Sequence, residues 1–188
     1  MKIFVLLFCC IVFINCDKDC GFDKEIDPLL HENMNKDYYS YATKNEKEHW
    51  VAPISFIEEI NYPDKWMQLT FTTFDPFTQT FERNKILIFF DRSNYVENQI
   101  IKLSSLDGGL IKNAVFPSAK FLKLDGDALL SFYDLKKNCD KSYLIINKIT
   151  DSYVEGTFQL VFEVDESLLF DEETIVKFSQ GFFKAEIK

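Results

Sequence analysis

Before Ser40 the chain contains no alanine and no serine, and its first glycine is Gly21. Ordinary signal peptidase cuts after small residues in an A-x-A pattern, so that route of N-terminal processing has no site here. Histidine is nearly absent as well. His31 and His49 are the only two; neither has a second histidine or a cysteine at ligand spacing, which argues against a metal site. The 21 Lys and Arg are outnumbered by 30 Asp and Glu, for a net charge of −9. Neutralising phosphates takes clustered basic residues, which are missing, so no nucleic-acid partner is expected. No apolar run reaches the roughly 20 residues a spanning helix needs. There is no G-x-S-x-G, no H-E-x-x-H and no P-loop, and no cofactor is implied.

What the chain does have is aromatics: 20 Phe and 8 Tyr within a 47% apolar composition. Phe, Tyr and β-branched residues favour strands, and with alanine scarce the body is expected to be all-β. At the end of the chain three strands are predicted, Tyr143–Thr150, Tyr153–Glu163 and Ile175–Ile187. In the second, Val154, Gly156, Phe158, Leu160 and Phe162 share one face, while Glu155, Thr157 and Gln159 share the other. The third opposes Phe183, Ala185 and Ile187 to Phe182, Lys184 and Glu186. This period of two marks strands with one buried face.

Upstream, Ile54–Ile57, Trp66–Phe74, Lys85–Asp91, Val96–Leu103, Leu110–Phe116, Phe121–Leu124 and Ala128–Leu135 read as further strands. Lys85–Asp91 is apolar on both faces, which places it centrally. Asp75-Pro76-Phe77-Thr78, Leu106-Asp107-Gly108-Gly109 and Asp125-Gly126-Asp127 read as turns. About nine or ten strands at regular spacing predict an antiparallel β-sandwich or flattened barrel over residues 50–188. Residues 16–49 are polar and read as a spacer, with a short helix around Leu29–Asn35.

At the N-terminus, Lys2 precedes an uncharged apolar run, Ile3 to Ile14, of the length of a signal-peptide core. Cys16 follows directly. Phe13-Ile14-Asn15-Cys16 resembles a bacterial lipobox, and Asp17-Lys18-Asp19 resembles the acidic stretch after the lipidated cysteine in lipoproteins of Bacteroidota. The resemblance implies a signal peptide over residues 1–15 and a palmitate-type acyl anchor at Cys16. The other reading is a plain secretory signal in which Cys16 has no special role. Cys9 and Cys10 would leave with the signal. Cys20 and Cys139 would then remain, either as a disulfide in an oxidising compartment or as two free thiols.

Val154-Glu155-Gly156-Thr157-Phe158, the run from Val176 to Ile187, and Trp50-Val51-Ala52 are similar to the closing strands and opening tripeptide of small Bacteroidota lipoproteins. That likeness implies an exported, outer-membrane, lipid-anchored all-β domain on the periplasmic or surface face. It carries over no catalytic residue.

Chemistry is otherwise sparse. Trp50, Trp66, Tyr62 and Phe77 cluster in sequence near two proline turns, and a rim of such rings can stack on a flat ligand. The alternative is that they plug the ends of the core. Asp125 and Asp127 are hard oxygen donors, but the rest of a calcium loop is missing and a hairpin turn is the simpler reading. Two function classes follow. One is a non-catalytic binding or structural module with its partner, protein or glycan, unidentified; the other is an exported hydrolase acting through acidic residues. A lipocalin-like carrier of a hydrophobic ligand overlaps the first in fold.

Overall fold

The structure, a computed structural model, describes residues 37–60, 66–75, 77, 81–105, 117–167 and 173–188. The predicted helix at Leu29–Asn35, the strand Leu110–Phe116 and the turn at Leu106–Gly109 lie outside these residues, as do His31, Cys16, Cys20 and Tyr62.

Eleven strands form within the described residues. They are β1 (Tyr39–Lys44), β2 (Glu48–Ala52), β3 (Ile54–Ile60), β4 (Trp66–Phe74), β5 (Glu82–Asp91), β6 (Ile100–Lys102), β7 (Ser118–Asp125), β8 (Ala128–Leu135), β9 (Tyr143–Ile149), β10 (Tyr153–Ser167) and β11 (Ile175–Ile187). They make one sheet in the order β2-β1-β11-β3-β4-β5-β7-β8-β10-β9-β6, and β10 also pairs with β11. That extra pairing closes a ring of seven strands, β3-β4-β5-β7-β8-β10-β11. The last joint is parallel and short: Glu186 pairs with Phe56 and Ile187 with Ile57. Ring closure of this kind fits the all-β sandwich or flattened barrel expected from the sequence, and β5 lies between β4 and β7, inside the sheet as its double apolar pattern requires.

The β10–β11 ribbon is the spine of the ring. The far edge of β10 pairs with β9 along Val154–Gln159, then with β8 from Phe162 onward. Between the two partners, the Val161 N–H donates to Ser142 Oγ (3.0 Å) and the Val161 carbonyl accepts from Lys136 N–H (2.9 Å). The β8–β9 loop thus satisfies the backbone where neither strand reaches it. β11 changes partner in the same manner, from β1 to β3, at its far edge. Its bend is a bulge, because Ser179 and Gln180 stand against Gln159 alone, and Gln180 adopts φ 51.

The interior is filled by rings. Trp50 is 5% exposed and its ring centroid lies 5.1 Å from Phe178, 6.3 Å from Phe71 and 6.5 Å from Phe158. Phe121 continues the stack, 5.3 Å from Phe178, 5.8 Å from Phe162 and 5.1 Å from Tyr133. Each such pair adds ~0.5–1.5 kcal/mol beyond the area it buries.

Two differences from the sequence reading stand out. The spacer does not extend to residue 49. Tyr39–Lys44 and Glu48–Ala52 are strands, paired with β11 and with each other, so the folded body starts before residue 50. The strand read as Val96–Leu103 shrinks to Ile100–Lys102. Asp91 accepts from Ser93 N–H (2.7 Å) to start a 3-10 turn at Arg92–Asn94, and Asn98 takes φ 61, which breaks the extended run. The Asp125-Gly126-Asp127 turn is as read: Gly126, at φ 61, is the first residue of a two-residue loop joining β7 to β8.

Candidate binding face

Alternation along β1 turns Tyr39 and Tyr41 to one face and buries Ser40 and Ala42 on the other. The same rule turns Phe182 and Lys184 outward on β11, and Tyr153, Glu155 and Thr157 outward on β10. Register brings these outward residues together. Tyr41 pairs with Phe182, Phe182 with Thr157, and Thr157 with Ile145. Val51 extends this row from Tyr41 and Ile100 from Ile145.

The rings are in contact. Tyr41 and Phe182 are 5.3 Å apart at 27°, Tyr39 and Tyr41 6.3 Å apart at 18°, and Tyr39 and Phe182 6.0 Å apart. All three are half-buried. Burial, with the neighbouring Tyr39 charge second, raises the Tyr41 hydroxyl above the usual phenol range, so it stays a neutral donor and acceptor. Beside the rings, Lys184 Nζ lies 4.5 Å and Lys148 Nζ 5.4 Å from the Tyr153 ring centroid. The hydrogen bond to Tyr153, then the charge of the same residue, raises Lys148 above the ordinary lysine range. The face is therefore aromatic at its centre with fixed polar groups at its margin.

A second surface is a groove of about 510 Å³ lined by Leu129, Leu130, Ser131, Phe132, Asp165, Glu166 and Ser167. The Ser131 and Ser167 hydroxyls share a hydrogen bond of 2.9 Å along it. Asp165 and Glu166 follow the irregularity in β10 after Val164. Neither carboxylate has a hydrogen bond or ion pair to another side chain among the described residues.

One end of the barrel is polar. Glu173 accepts from Lys44 Nζ (3.0 Å), Lys123 Nζ (3.3 Å) and Asn45 Nδ2 (2.7 Å), joining β1, β7 and the start of β11. Burial pushes its carboxyl up, but Lys44 and Lys123 together outweigh that and hold it below the usual range. Arg83 bridges Asp75 (2.8 Å) and Asp125. Asp125 is thus engaged by a cation from the protein itself.

The four rings singled out in the sequence do not assemble. Trp50 is inside the core. Trp66 begins β4 and Phe77, 94% exposed, follows its far end, which puts them roughly 30 Å apart at about 3.3 Å per residue. Tyr62 is outside the described residues. Cys139 is disulfide-bonded, and every other cysteine of the chain precedes residue 37. The residues that do assemble, Tyr39, Tyr41 and Phe182, were legible only as i, i+2 tyrosines and one outward Phe.

No family model, curated protein or solved structure matches the chain.

Proposed function

We propose that this chain is a lipid-anchored extracytoplasmic protein whose barrel is a non-catalytic binding module, and that the Tyr39–Tyr41–Phe182 face is its binding surface. One contrast carries the reading: the rings inside the barrel are packed against one another, while a second set of rings lies in contact on the outside. Rings packed on one another inside the described core favour recognition at the outer face over carriage of a hydrophobic ligand. The likeness to Bacteroidota lipoproteins and the position of Cys16 support an acyl anchor. The described body starts at β1 with Tyr39, downstream of Cys16, and the segment between them joins lipid to barrel.

Two measurements test this. Palmitate labelling in the cell marks wild type and not Cys16→Ala; equal labelling removes the anchor. Purified Cys16→Ala protein, which carries no acyl chain, co-sediments with the cell-envelope fraction, and the same protein with Tyr41→Ala or Phe182→Ala added does not. Co-sedimentation unchanged in both variants removes the face.

A further inference from the structure

The shape and chemistry of the outer face narrow its ligand, on the reading that this face is the binding surface. Val51, Tyr41, Phe182, Thr157, Ile145 and Ile100 are successive partners across six strands, so the apolar strip runs across the strands rather than along them. At a strand spacing of ~4.8 Å it is about 24 Å long, and at two residues per repeat about 7 Å wide. A stable protein interface covers about 800 Å² on each partner, and a strip of roughly 170 Å² falls far short of that.

The strip is bounded by polar groups on both sides. Tyr39, Lys184, Glu155 and Lys148 form the neighbouring row on one side. Gln159, Tyr143 and Lys102 form it on the other. Its occupant is accordingly long, narrow, apolar on its face and hydrogen-bonding along its edges. A pyranose chain has that form: the C–H faces of its rings stack on aromatic planes, and its hydroxyls, each both donor and acceptor, project from the edges. Charge selects further. Lys184 and Lys148 already face the Tyr153 ring, Glu155 stands between them in the row, and the chain as a whole carries −9. An acidic polymer gains little here and meets a repelling field.

We infer that the strip from Val51 to Ile100, centred on Tyr41 and Phe182, binds an extended neutral glycan across the strands. The pairing of ring, polar margin and narrow width is what an extended neutral polysaccharide fits.

The test is native gel electrophoresis of the full chain in detergent, in gels containing hydroxyethylcellulose, galactomannan, xylan or laminarin as neutral probes and alginate as the acidic one. At least one neutral polymer retards wild type. Tyr41→Ala and Phe182→Ala each weaken that retardation about tenfold, the scale of one lost ring contact. Tyr41→Phe keeps the ring and keeps binding, and Phe77→Ala, remote from the strip, changes nothing. Thermal melts confirm that each variant is folded, and Tyr39→Ala, at the start of β1, gives a further probe should Tyr41→Ala unfold. Retardation by no neutral polymer, or equal retardation of wild type and ring variants, overturns the inference. If envelope co-sedimentation still depends on Tyr41 and Phe182 while only alginate or none of the polymers retards, the face stands and the neutral glycan falls. If co-sedimentation is also independent of those rings, both fall.

Discussion

Gly156 stands directly across from Phe183, and two pairs along the same ribbon Phe158 stands across from Gly181. Each ring covers the glycine opposite it. A Cβ at Gly156 would lie 2.5 Å from the Phe183 ring and 2.1 Å from the Ile145 carbonyl oxygen; one at Gly181 would lie 2.6 Å from the Phe158 ring. Reciprocal Gly–Phe pairs of this kind let two strands bend together while the rings restore the packing that glycine lacks.

Gly156→Ala is accordingly expected to destabilise the barrel by about 3 kcal/mol or more, since the clash is with backbone as well as ring. Gly181→Ala meets only a side chain and costs less. Chemical denaturation of the two variants checks the order; a milder effect at Gly156 than at Gly181 would contradict it.

Gln180 holds φ 51 at the bulge in β11. A left-handed conformation costs a residue with a Cβ about 1–2 kcal/mol, and glycine escapes it. Gln180→Gly is expected to raise the unfolding free energy by about 1 kcal/mol, and Gln180→Val to lower it. Urea midpoints of the pair give the answer.

Lys120 is 4% exposed, with its Nζ 2.7 Å from Asp134 Oδ1 and 4.2 Å from the Phe132 ring centroid. Removing one partner of such a pair leaves a buried charge uncompensated, so Asp134→Ala is expected to cost about 3 kcal/mol. Lys120→Met with Asp134→Leu removes both charges and is expected to be near neutral. Equal destabilisation by the single and double variants would show that the pair is not what matters.

Glu173 carries a carboxyl held below its ordinary value by Lys44 and Lys123, against the upward push of burial. A lowered folded-state pKa means stability that is full above the unfolded value and lost as pH falls through the folded one. Melting temperature is therefore expected to drop on acidification below the ordinary carboxylate range, with a smaller drop in Glu173→Gln. Identical acid profiles for the two proteins would remove Glu173 from the account.

The disulfide at Cys139 is expected to join Cys20, the remaining cysteine once the signal and a lipidated Cys16 are set aside. Non-reducing peptide mapping identifies the partner, and Cys20→Ser is expected to free the Cys139 thiol to alkylation. A linked peptide containing Cys16 would exclude both the pairing and the anchor. Closing so long a loop restrains the unfolded chain, so Cys139→Ser is expected to lower stability by about 2–4 kcal/mol.

Much of the architecture follows from the sequence alone. Trp66–Phe74, Ala128–Leu135 and Ile175–Ile187 coincide with the strands β4, β8 and β11, because a period of two needs no knowledge of the partner to declare which face is buried. The central position of β5 follows from apolar residues on both of its faces. The placing of Phe183, Ala185 and Ile187 inside and Phe182 and Lys184 outside follows in the same way.

Ring closure, the filled interior and the aromatic face depended on the tertiary structure. β1 is short and ends at Lys44, so its Tyr39–Tyr41 alternation becomes a strand only between β11 and β2, whose edges supply the missing hydrogen bonds. Trp50 is drawn into the core by Phe71, Phe158 and Phe178, which come from three other strands and lie far from it in sequence. Periodicity tells each side chain which way to turn; register across strands far apart in the chain decides which side chains it meets there.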